Sequence, residues 1–271
     1  MVEDKKIIVA LDYDQKDHAY ALLDKIDPSL CRVKIGKELF TKYGSELVLN
    51  VQNKGFDVFL DLKFHDIPTT VYKACISAFS LNIWMLNIHL SGGLKMSLEA
   101  VRAKKDSQTD CKLIGVTVLT SLSDNDCLDI YGCNRSEQVQ KFKEIGKLSN
   151  IDGFVCSPLD ITDLNDSDKI FVTPGIRIDS KNHDHHRVIS PKEAMNLGST
   201  YLVIGRSITE DKNPNSVLRS ILNSLKFSVV ARHTRLSSVT RSSIESSMLN
   251  VLSMFVSTII KSGSEITLSH E

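Results

Sequence analysis

Asp61, Lys63 and Asp66 fall within six residues of one another in the stretch DLKFHDIPTT (61–70), directly after the apolar run GFDVF. Ionisable side chains at a strand end are costly to desolvate unless they pair or a ligand completes them. Asp61 and Lys63 are two apart on a segment that reads as extended, which puts both on one face. Lys34, within CRVKIG (31–36), reads as part of the neighbouring strand and can point into the same space. The result is a Lys–Asp–Lys array that Asp66 can extend from the loop. At about 4 Å and an effective dielectric near 20, opposite charges attract by roughly 4 kcal/mol. Such an array can stay ionised and fixed, either as a preorganised site for an anionic ligand or as an ion-pair network that only closes one end of the fold.

A second group of residues suits phosphate. VTPGIR (172–177) and VIGRSI (203–208) each carry Gly and Arg after an apolar run. Gly205 lets an anion approach backbone N–H groups, and Arg206 or Arg177 offers a forked donor. Between them, RIDSKNHDHHR (177–187) holds His183, His185 and His186. Three histidines within four residues of a loop cannot all converge on one ion, and no acidic or Cys partner is evident, so the reading is no metal. His65 and His89 read as packed or hydrogen-bonded residues, and Trp84 as core.

These side chains need a scaffold that brings strand ends together. Short apolar runs read as strands at 6–11, 31–36, 57–62, 83–89, 112–119, 151–156, 170–175 and 201–205. The intervening segments suit helices, for example at 37–53, 68–80, 94–104, 137–149, 191–197 and 214–225. Strict alternation of this kind predicts a parallel sheet with helices outside, and eight units predict a (β/α)8 TIM barrel. An open doubly wound sheet is the alternative, but no G-x-G-x-x-G follows the first strand. In a barrel, chemistry gathers at the C-terminal strand ends and phosphate binds after strands seven and eight. Asp12, Lys34, Asp61, Lys63, Thr120, Ser121, Arg177, Gly205 and Arg206 all fall at those ends. The predicted barrel domain is 1–225. Residues 226–271 form a Ser-rich C-terminal extension, in which Ile244, Met248, Val251, Leu252, Phe255 and Ile259 follow helical spacing. A helix or a loosely ordered tail both fit it.

Bulk properties exclude several classes. With 33 basic and 33 acidic residues, the chain has no charge bias toward nucleic acid or an anionic membrane. No run approaches the roughly 18 apolar residues of a membrane helix, and the charged N-terminus has no signal-peptide pattern. Six scattered cysteines with no C-x-x-C pair suit a reducing cytosol.

ALD (10–12), VKIGKELF (33–40), DVFLDLKFHDIPTTV (57–71), VTVLTS (116–121), VTPGIR (172–177) and VIGRSIT (203–209) together resemble the orotidine 5′-phosphate decarboxylase family in its short bacterial form. The resemblance covers roughly 5–225. It implies a homodimeric barrel converting orotidine 5′-monophosphate to UMP and CO2 without metal or organic cofactor. Carried over, Lys34, Asp61 and Lys63 form the array at the reacting carbon, and Lys63 stabilises and protonates the C6 carbanion. Asp66, Ile67 and Thr70 complete the neighbouring subunit's site, while Asp12 and Lys34 hold ribose hydroxyls. Thr120 and Ser121 lie by the pyrimidine, and Arg177, Gly205 and Arg206 on the phosphate side. The family's usual Gln in the loop before the last strand is replaced here by His185, which is shorter and titrates near neutral pH. Two rivals remain. One is a sugar-phosphate enzyme of the same superfamily working through a metal-bound enediolate, which needs an acidic ligand where Lys34 stands. The other is a non-catalytic nucleotide-binding barrel.

Overall fold

Eight short strands close on one another in chain order, every neighbouring pair parallel, with the first strand hydrogen-bonded to the last. This computed structural model describes residues 4–164, 168–178 and 189–226. The strands are β1 (Ile7–Leu11), β2 (Cys31–Gly36), β3 (Val58–Phe64), β4 (Met85–His89), β5 (Lys112–Val116), β6 (Gly153–Val155), β7 (Ile170–Thr173) and β8 (Tyr201–Ile204). The expected (β/α)8 barrel is therefore present. The putting of the second face to use explains why the strands read as continuous apolar runs: both faces of the sheet are covered.

One face packs outward. Ile7, Val9 and Leu11 of β1 and Val33 and Ile35 of β2 belong to the large core between barrel and helices. The alternate residues Ile8, Ala10, Phe59, Met85, Ile114, Val172, Tyr201 and Val203 fill the barrel itself. Two cations on β2 interrupt this apolar filling. Arg32 lies 4.0 Å from the Trp84 ring centroid and pairs with Asp4 at 2.9 Å and Asp57 at 3.3 Å. Lys34, one step further along the same inward face, belongs to the opposite end.

Helices predicted from periodicity are found with small shifts, at Lys37–Asn53, Pro68–Phe79, Gly93–Asp106, Arg135–Ser149 and Pro191–Leu197, and residues 214–226 are helical. Local chemistry sets their ends. Ser190 and Glu193 form a capping box ahead of Pro191, and Gly198, at φ 112°, closes that helix. The 37–53 helix is broken at Gly44, whose φ of 62° and ψ of −152° are not helical. The helices Lys16–Leu23, Asp124–Tyr131, Ile161–Leu164 and Arg206–Thr209, all eight residues or fewer, were not singled out from the sequence. The sequence reading ran the fifth strand to 119; the ladder ends at Val116, and 117–122 form the loop that follows. The C-terminal extension, from 227 on, and His183, His185 and His186 lie outside the described residues.

Candidate active site

The mouth formed by the C-terminal strand ends holds a chain of alternating charges. Lys34 Nζ donates to Asp12 Oδ1 at 3.0 Å and lies 3.4 Å from Asp61 Oδ2. Lys63 Nζ donates to Asp61 Oδ1 at 2.6 Å. The side chains of Lys34 and Asp61 are each 11% exposed, Lys63 26%, and Asp12 68%, so the array runs from the barrel interior to solvent. Gly36 makes room for it. In register with Asp61, it would, with a Cβ, come within 3.3 Å of Lys34 Nζ. Gly205 also borders the array, its Cβ position 3.8 Å from Asp12 Oδ2.

Burial opposes ionisation of Asp61, but Lys34, Lys63 and hydrogen bonds from Lys63 and Asn87 outweigh it and hold its carboxyl below the usual range. The site thus presents a carboxylate gripped by two ammonium groups. An anion entering the mouth meets both cations, with Asp61 between them and Asp12 at the solvent-facing end.

The convergence of Asp61 and Lys63 has a different cause from the one spacing suggests. An extended strand would point both side chains one way, yet Lys63 has φ 51°, in the left-handed region. The β3–β4 register moves from Leu60↔Leu86 to Phe64↔Ile88, so residues 61, 62 and 63 stand against Asn87 alone. The bulge re-aims the lysine, a recognised use of such irregularities beside active sites. A non-glycine residue there costs about 1–2 kcal/mol, which the surroundings must offset.

Asn87, not singled out from the sequence, is fully buried at 0% exposure. Its Oδ1 accepts from the Lys63 backbone N–H at 2.7 Å, and its Nδ2 donates to Asp61 Oδ1 at 2.7 Å. The signal available was a lone amide in the apolar strand MLNIH. His89, the last residue of that strand, shares a 2.7 Å hydrogen bond between Nδ1 and Ser91 Oγ, and its ring lies 5.6 Å from that of His65. Burial, with His65, Lys63 and Lys37 nearby, lowers its pKa to about 4, so at neutral pH it is an uncharged partner of Ser91.

The remaining expected residues stand around the rim. Asp66 makes no ion pair among the described residues and does not extend the array within one chain; its Oδ1 accepts from the Ile67 N–H at 2.6 Å. Ile67 is 66% exposed, and Thr70 is exposed one turn into the following helix. Thr120 and Ser121 are exposed in the loop after β5, and Arg177 is exposed after β7. Arg206 is exposed at the start of the Arg206–Thr209 helix, directly after Gly205.

Comparison with known proteins places this geometry in context. The sequence model of the family described as "Orotidine 5'-phosphate decarboxylase / HUMPS family" matches residues 5–221. An orotidine 5′-phosphate decarboxylase of Actinobacillus succinogenes is 51% identical over 229 residues, 82% of this chain and 98% of the relative. One of Haemophilus influenzae is 50% identical over 80% of this chain and 96% of its own length. Among solved structures, an orotidine 5′-phosphate decarboxylase of Lactobacillus acidophilus superposes with a TM-score of 0.72 at 35% identity, covering 82% of this chain and 99% of that one.

Proposed function

The chain belongs to the orotidine 5′-phosphate decarboxylase / HUMPS family, and from that premise we propose that it decarboxylates orotidine 5′-monophosphate to UMP and CO2, a carboxy-lyase step in pyrimidine biosynthesis. The observation that carries the reading is the Asp12–Lys34–Asp61–Lys63 chain at the barrel mouth. A metal-dependent sugar-phosphate enzyme needs acidic oxygens beside Asp61; here Lys34 occupies that side, and an ammonium repels a divalent cation. The alternating charges instead suit a metal-free reaction that builds negative charge on carbon.

Loss of CO2 breaks the bond from C6 to its carboxylate and leaves the electron pair on C6. The Lys63 ammonium, preorganised by Asp61, stabilises that pair electrostatically and then transfers a proton to C6, giving UMP; the neutral amine regains a proton from solvent. Asp61 disfavours the substrate carboxylate before reaction, and the lysine supplies the larger effect. Asp12 and Lys34 hold ribose hydroxyls. Arg177, Gly205 and Arg206 take the phosphate together with His185, and Thr120 and Ser121 border the pyrimidine. Contacts this far from C6 supply binding energy for orientation.

The site is completed in a homodimer. Asp66 is free to serve a neighbour because it makes no ion pair among the described residues of its own chain, and the exposed Ile67 beside it offers apolar surface to bury. Thr70 joins them on the same edge. The catalytic unit is 1–225; the extension lies beyond the family match, and the reaction asks nothing of it. All six cysteines are buried free thiols, in keeping with a reducing compartment.

The test is to mix purified protein, orotidine monophosphate and EDTA and to follow UMP and CO2. Equimolar products, insensitive to the chelator, are expected. Inert protein that remains folded and dimeric, or turnover of a sugar phosphate that requires a divalent cation, overturns the proposal.

A further inference from the structure

We propose that Asn87 is a positioning residue for the reaction, a two-ended strut that holds the Lys63 backbone in its left-handed turn and the Asp61 carboxylate in its catalytic orientation at once. The inference rests on the decarboxylase reading for its kinetic consequence, but not for its structural one.

The bulge removes ordinary ladder pairing where it is most needed. Between Leu60↔Leu86 and Phe64↔Ile88, three residues of β3 face one of β4. The amide of Lys63, in an unfavourable backbone conformation, would lack a sheet partner. Asn87 supplies one from its side chain, at 2.7 Å, and spends its other end on Asp61 Oδ1, also at 2.7 Å. The partners fix the amide's orientation. A backbone N–H demands the oxygen, and a carboxylate demands the NH2. Asp61 Oδ1 then receives both Asn87 and Lys63 Nζ, so the ammonium is located from both of its anchors: through its own backbone and through the carboxylate it binds. Asn87 is fully buried, so a bond lost there leaves a buried polar group unsatisfied. No other side chain of β4 bonds to both residues.

An isosteric apolar replacement separates this role from packing. Asn87→Leu keeps the branched heavy-atom skeleton and loses both bonds. A displaced reacting group at this scale costs about 10²-fold, so kcat is expected to fall about that far. KM for orotidine monophosphate should change little, because the ribose and phosphate contacts are untouched. Asn87→Asp provides the conservative rescue. As a neutral acid its O–H donates to Asp61 and its carbonyl accepts from Lys63, whereas as a carboxylate it faces Asp61 with like charge. Its kcat, relative to wild type, is therefore expected to recover as pH falls below neutral, while the leucine variant does not. A third readout needs no substrate: amide hydrogen exchange at Lys63, expected slow in the wild-type protein and markedly faster in Asn87→Leu. A leucine variant with wild-type kcat, or with Lys63 amide protection unchanged, overturns the proposal. So does a loss that Asn87→Asp fails to recover at any pH. If the wild-type protein does not turn over orotidine monophosphate while Lys63 exchange still collapses in the variant, the strut stands and the assigned reaction falls.

Discussion

Under the proposed reaction, Lys63 carries two separable burdens, an ammonium for chemistry and a backbone at φ 51°. Comparing Lys63→Gly with Lys63→Ala isolates the second. Both substitutions delete the same 2.6 Å ion pair to Asp61 and leave that carboxylate with Lys34 at 3.4 Å and Asn87 at 2.7 Å, so the electrostatic loss cancels in the difference. What remains is the backbone. Alanine bears the left-handed cost of about 1–2 kcal/mol, which glycine escapes. Glycine loses about 0.4–1 kcal/mol through the greater freedom of its unfolded chain. The net expectation is that Lys63→Gly is more stable than Lys63→Ala by about 0.5–1 kcal/mol, or about 1–4 °C in Tm for a domain this large. Urea unfolding with matched m-values, at one protein concentration, measures it. Both variants should be catalytically silent. An alanine variant as stable as the glycine variant, or more so, would refute the claim that strain is stored at Lys63.

Other consequences follow from the same geometry. Because the folded-state pKa of Asp61 is depressed, its ionisation contributes stability that is present above the unfolded carboxylate range and lost as pH falls through the folded value; the stability gap between wild type and Asp61→Asn should therefore narrow in acid, as urea titrations across that range would record. His89, lowered to about 4, should stay neutral throughout pH 5–8 by NMR of its ring, and its contribution to stability should decline as pH drops from about 6.5 toward 4, since the unfolded chain then binds the extra proton. A ring charged at pH 6 contradicts its placement. Gly153→Ala would put a Cβ 2.1 Å from the Ile170 carbonyl oxygen, a backbone clash across the β6–β7 pair. A loss of about 3 kcal/mol or more is expected in denaturant melts, and a wild-type midpoint would show that the two strands are spaced otherwise.

Much of this was legible in the sequence, for identifiable reasons. The alternation of apolar runs with helical periods, a consequence of burying both faces of a parallel sheet, is strong enough to give the barrel. The charged strand ends give Asp12, Lys34, Asp61 and Lys63, because four ionisable groups at the close of apolar runs have few bland explanations. What escaped depends on three-dimensional pairing. Nothing in DLKF announces that Lys63 leaves the extended conformation; the bulge is created by the register against β4. Asn87 is one amide in an apolar strand, and its role exists only opposite that bulge. The short helix Asp124–Tyr131 was not singled out because its ends are set by the Ser123–Asp126 capping box and the Gly132 turn, and it carries no apolar stripe. Asp66, which the sequence allowed to extend the array from the loop and the family resemblance assigns to a neighbouring subunit, accepts from the Ile67 amide within its own chain.

The central claim is that Lys63 protonates the carbon from which CO2 departs. The measurement that tests it most directly is single-turnover conversion of orotidine monophosphate by the wild-type protein and by folded, dimeric Lys63→Ala, with EDTA present. Rapid formation of equimolar UMP and CO2 by the wild type, reduced at least about 10⁴-fold in the variant when proton delivery and charge stabilisation are removed together, is the predicted result. A variant within tenfold of wild type would place the proton donor elsewhere and contradict the account.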